Sequence, residues 1–90
     1  MPLTEYERIS DITDVVTIAK GAGVDIRHYL NRRFGRGNWR KMKGVASVEY
    51  QNGEIWQAEV HWYEAHSIGR RLEKVKRNIR RLALTPTSVA

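Results

Sequence analysis

Cysteine is absent from this 90-residue chain. That excludes a disulfide framework, a thiolate metal site and a cysteine nucleophile, and it fits a reducing compartment. Proline is almost absent: Pro2 and Pro86 lie near the ends, so none interrupts a helix or a strand between them. No apolar stretch approaches the ~20 residues that a membrane-spanning helix needs. The N-terminus lacks the basic start and apolar run of a secretory signal, and the expected location is the cytoplasm. Carboxylates are scarce as well, with 10 Asp and Glu against 16 Lys and Arg, a formal net charge of +6.

The surplus charge is segregated. Residues 19–44 hold eight Lys and Arg against one acid, and residues 67–82 hold seven against one. Between them, residues 45–66 carry four Glu and no Lys or Arg, and residues 1–18 sum to −3. Clustered cations build a field that draws polyanions to one surface. Nucleic acid is therefore the expected partner, with an acidic protein as the alternative. The two cationic stretches are expected to share one continuous surface, with the glutamate-bearing segment elsewhere. Ninety residues make one domain, expected over 1–84 with a frayed tail at 85–90. A chain this short buries only roughly 60–65% of its unfolded surface, so homodimerisation is a natural way to add core.

Thr4-Glu5-Tyr6-Glu7 has the spacing of a capping box. Beyond it, Ser10 or Asp11 can cap a first helix in which Ile12, Val15, Val16 and Ala19 fall at i, i+3, i+4 and i+7. Gly21 and Gly23 close it. A second helix is predicted from Asp25 to Phe34, with Ile26, Tyr29, Leu30 and Phe34 on its apolar face and Gly35 as its stop. Gly35-Arg36-Gly37-Asn38 reads as a basic loop.

Residues 44–63 carry a hairpin signal, Asn52-Gly53 between two alternating runs. A two-residue turn would pair Glu49 with Trp56 and split the apolar sets. A three-residue loop, Gln51-Asn52-Gly53, pairs Val48 with Trp56 and Ala46 with Ala58 and gives both sets one face, so this register is predicted. Ser47, Glu49, Gln57, Glu59 and His61 then occupy the other face. In the last third, Ile68, Leu72, Val75, Ile79 and Leu82 step by 4, 3, 4 and 3, which favours a basic amphipathic helix over a third strand at 70–77. The expected fold is α+β: two N-terminal helices on a small antiparallel sheet containing the 44–63 hairpin, followed by a basic C-terminal helix or strand.

Arg36, Arg40, Lys41, Arg70, Arg71, Lys74 and Arg77 are the candidate phosphate contacts, because guanidinium and ammonium groups grip phosphate directly. Trp39, set among cations, is a candidate for stacking on a base. RNA is favoured slightly over duplex DNA. The leading alternative is a metal-independent ribonuclease in which His61, beside Glu59 on a strand, acts as general base or acid, with Arg70 or Arg71 on the phosphate. Trp56 and Trp62 read as core. His61, Glu64 and His66 match no standard ligand spacing, so neither a metal site nor a cofactor is expected.

Three resemblances accompany these readings. Asp11-Ile-Thr-Asp-Val-Val, Ala22-Gly-Val-Asp25 and Leu30-Asn31 resemble the helix-turn-helix of lac-repressor-type regulators, although the stretch from Asp14 to Ala22 is about three residues too long for the tight turn. Helices followed by an antiparallel sheet in a small, very basic chain resemble the bacterial ribonuclease toxins that include RelE and the colicin D nuclease domain. That resemblance implies RNA cleavage. The run His61-Trp-Tyr-Glu-Ala-His66 with Ile68-Gly-Arg70 resembles the C-terminal part of small uncharacterised bacterial proteins, and implies a loop at Gly69 with a strand after it.

Overall fold

The computed structural model describes residues 5–84, so the capping box begun by Thr4 and the tail at 85–90 lie outside the described residues. The elements run β1 (Tyr6–Arg8), β2 (Thr13–Lys20), a short 3-10 turn at Gly21–Gly23, α1 (Arg27–Phe34), β3 (Arg40–Tyr50), β4 (Glu54–Ala65) and β5 (Gly69–Leu84). About 62% of the described residues are in strands, and the sheet curls into a half-barrel. All pairings are antiparallel, in the order β1-β3-β4-β5, with β2 following β1 along the same edge of β3, opposite β4.

The expected pair of N-terminal helices is corrected to one. The predicted second helix is α1, where Leu30 is buried, Ile26 and Phe34 pack beside it, and Gly35 terminates it at φ +121°. The predicted first helix is instead β2. Five of its eight residues, Thr13, Val15, Val16, Thr17 and Ile18, are β-branched, which favours a pleated chain over a helix. The helix-turn-helix reading fails with it. The C-terminal element is likewise a strand, not a helix.

The hairpin follows the register derived from its sequence. Val48 pairs with Trp56 and Ala46 with Ala58, and Gly53 takes the left-handed conformation at φ +86°. The apolar sets line the concave face: Met42, Ala46, Val48, Ala58, Val60 and Trp62 are buried there, with Tyr6, Ile12, Tyr50, Trp56 and Val75 packed against them. Removing each of these larger side chains from water contributes about 1.5–3 kcal/mol. Gly44 lies in this face because a Cβ there would overlap Ile12 Cγ2 and stand 2.9 Å from the Thr13 carbonyl oxygen.

The curl brings the two ends of the sheet together across the concave face. Tyr6 donates to Glu73 at 3.0 Å, Arg8 Nε meets Glu73 at 3.2 Å, and Tyr50 donates to Asn78 at 2.6 Å. A second core sits on the opposite, convex face at one end. There Val24, Leu30, Trp39 and Ala65 are buried, flanked by Ala19, Ile26, Phe34, Tyr63 and Ile68. The helix therefore covers only that end of the convex face.

Candidate nucleic-acid interface

The convex face is built by two different periodicities. β3 and β4 are regular, so odd-numbered residues 41–47 and 57–63 share this side. β5 is not regular. Its sixteen residues pair with the twelve of β4, and register shifts occur at four places. Each shift sets two residues of β5 against one of β4, which is a β-bulge. Leu72 takes a positive φ of +58° at one of them. The alternation of β5 is thereby stretched from two residues to about three. As a result Arg71, Lys74, Arg77 and Arg80 stand opposite Tyr63, His61, Glu59 and Gln57, all on one side of the sheet.

The registered rows are Lys41–Tyr63–Arg71, Lys43–His61–Lys74, Val45–Glu59–Arg77 and Ser47–Gln57–Arg80. Rows two residues apart on β4 lie ~7 Å apart. Lys41 Nζ is 5.9 Å from the Tyr63 ring centroid, and Arg71 Cζ is 5.5 Å from that of Phe34. Arg33 reaches the same Phe34 ring at 5.1 Å, so the cationic surface continues onto α1.

Carboxylates occur on both sides of the sheet, with Glu7 and Glu49 beyond the last of these rows on the convex side. On the concave side, Glu54, Glu64 and Glu73 accept from Trp56, Trp62 and Tyr6 and meet Arg81, Arg40 and Arg8. Glu59 is the one carboxylate in the four rows. Its Oε2 lies 2.6 Å from His61 Nε2 and its Oε1 accepts from Arg77 Nε at 3.0 Å. The bond to His61, helped by the Arg77 guanidinium, holds the Glu59 carboxyl below the usual range despite the opposing push of burial. Lys41, Lys43, Arg71, Lys74 and Arg80 have no carboxylate partner among the described residues.

The residues singled out from sequence are thus divided. Lys41, Arg71, Lys74 and Arg77 come together on the convex face. Arg40 and Arg70 lie on the concave side, Arg40 bonded to Glu64 at 2.9 Å and Arg70 Cζ standing 5.3 Å from the Trp62 ring centroid. Of the two arginines given as alternatives for the phosphate beside His61, Arg71 shares its side of the sheet and Arg70 does not, since adjacent strand residues face opposite ways. Arg36 lines a separate surface cleft of about 560 Å³ with Arg27 and His28.

Trp39 is completely buried in the second core and donates to the Gly35 carbonyl at 3.2 Å, so it cannot stack on a base. Nor is the glutamate-bearing hairpin elsewhere: its outer face is the floor of the cationic surface. Lys43, Glu59, Tyr63 and Arg80 belong to that surface and were not among the candidate contacts. Extending the odd-numbered alternation of the first strand two residues beyond Val45 reaches Lys43.

His61 occupies the centre of the rows and is 9% exposed. Arg40 Nε is the one enclosed side-chain nitrogen or oxygen without a partner among the described residues. His61 Nδ1 has no hydrogen-bond partner among the described residues. No group of three or more His, Asp or Glu side chains among the described residues is placed to hold a metal ion. Glu64 faces away from His61, and His66 lies exposed in the β4–β5 turn. No protein-family model matches the chain, and no curated protein or solved structure matches it.

Proposed function

We propose that the chain binds single-stranded nucleic acid, with RNA preferred, along the convex face of its sheet. One observation carries this reading: the serial bulges of β5 align Arg71, Lys74, Arg77 and Arg80 into a ladder parallel to Lys41 and Lys43. The ~7 Å row spacing is comparable to the separation of successive phosphates along an extended single strand. Tyr63 lies between Lys41 and Arg71 and offers a ring for a splayed base. The face is open over three strands, which suits a strand laid across it.

The test is a titration of fluorescent single-stranded RNA, single-stranded DNA and duplex DNA at several salt concentrations. Tight binding of single strands that weakens steeply with salt supports the proposal. No affinity for any of the three at low salt refutes it. Binding only an acidic polypeptide would assign the same face to a protein partner.

A further inference from the structure

We infer that Glu59 and His61 form the proton-accepting pair of an RNA-cleaving centre in the middle of this interface, acting on the ribose 2′-hydroxyl. The inference rests on the RNA-binding reading and adds an activity to it. A surface that merely holds phosphates has no use for a carboxylate among its cations. Yet Glu59 is placed there, and it is engaged by His61 at 2.6 Å and by Arg77 at 3.0 Å. When the Nε2 proton is donated to Glu59, Nδ1 carries the lone pair. That nitrogen has no hydrogen-bond partner among the described residues. Its neighbours on every side are identified: Glu59 and Tyr63 along β4, Lys43 across on β3, and Lys74 across on β5. Lys41, Arg71 and Arg77 occupy the adjoining rows. A phosphodiester lying between Lys43 and Lys74 would have ammonium groups on two sides, where they stabilise the extra negative charge of a pentacoordinate phosphorus.

The step balances without an external oxidant or reductant. His61 Nδ1 takes the proton of the 2′-hydroxyl, and the 2′-oxygen forms a bond to phosphorus. The bond from phosphorus to the 5′-oxygen breaks, and that oxygen leaves with the electron pair and takes a proton from water. His61 then releases its proton to water. The products are a 2′,3′-cyclic phosphate and a 5′-hydroxyl. DNA, lacking the 2′-hydroxyl, is bound but not cut.

The test incubates the whole chain with end-labelled single-stranded RNA and with the same sequence as DNA, in the presence of a chelator, and reads product termini by mass spectrometry. The expected result is RNA cleaved to cyclic-phosphate ends and intact DNA. His61→Asn should cut at least about 100-fold more slowly at saturating RNA, with circular dichroism retained. Glu59→Gln, which keeps shape but not charge, should also cut more slowly. Should the histidine variant lose its fold, Lys74→Ala supplies the second measurement, with cleavage slowed in a folded protein even at saturating RNA, where weakened binding no longer limits the rate. RNA bound but left intact by the native chain overturns the cleavage inference and leaves binding in place. Equal cleavage by native and His61→Asn protein overturns it too. Absence of RNA binding at low salt removes both readings.

Discussion

Removing Lys43 and Lys74 together probes the cationic surface most quantitatively. Both stand beside His61 in one row, on strands either side of it, and neither has a carboxylate partner among the described residues. Alanine at either place leaves the concave core untouched. Five cations of the convex rows lack a carboxylate partner: Lys41, Lys43, Arg71, Lys74 and Arg80. If each neutralises one phosphate of a single strand, log K should fall with log salt at a slope of about −3.5, at roughly 0.7 per contact. Losing two contacts brings the slope to about −2.1. Between 50 and 200 mM salt the native chain should then weaken about 130-fold and the double variant about 20-fold. Fluorescence anisotropy with a labelled RNA across that range measures both slopes. The control is Arg70→Ala with Arg81→Ala, which removes the same charge from the other side of the sheet. An equal fall in slope for both pairs would refute the argument, because net charge alone would then set affinity.

Three other outcomes follow from the packing. Trp39→Ala should destabilise the protein by about 3–5 kcal/mol, seen as a lower urea midpoint, and Trp39→Phe should keep the fold and the RNA affinity together. A stacking residue would show the opposite, full stability with weakened binding. Gly44→Ala should cost about 1–3 kcal/mol, because the Thr13 carbonyl and Ile12 must move to admit a methyl group. Burial, and then the bond to Glu73, pushes the Tyr6 hydroxyl well above its ordinary pKa of 10.0. The folded chain therefore keeps a proton that the unfolded chain releases, so this contribution is complete below pH 10 and is lost as pH rises beyond it. Urea midpoints should fall less steeply above pH 10 in Tyr6→Phe than in the native chain. Part of the alkaline slope remains in that variant through Tyr50, which burial also raises.

The sequence was legible where the strands are regular and misleading where they are bulged. β3 and β4 alternate without a shift, and their pairing could be derived to the residue from Val48, Trp56, Ala46 and Ala58. β2 and β5 carry register shifts, at Thr13/Val16 and Thr17/Ala19 in one and at four places in the other. A bulged strand repeats every two to three residues, so its apolar positions drift toward the spacing of a helix. That is why Ile12, Val15, Val16 and Ala19, and again Leu72, Val75, Ile79 and Leu82, imitate an amphipathic helix. Leu72, Ile79 and Leu82 are in fact exposed, at 42–44%. The same drift hid the interface. Only with a three-residue repeat do Arg71, Lys74, Arg77 and Arg80 line up, while Arg70 turns to the other face. Trp39 misled for another reason: its charged neighbours in sequence sit on the strand and the loop, and its own ring turns inward beneath α1.

The most direct measurement is backbone amide chemical-shift mapping of the labelled chain during titration with single-stranded RNA. Lys41, Lys43, His61, Tyr63, Arg71 and Lys74 should shift together and saturate in parallel, while Val48, Val60 and Asn78 on the concave side stay in place. Shifts centred on the Arg27–Arg36 cleft or on the concave face, with the convex rows unmoved, would contradict the account.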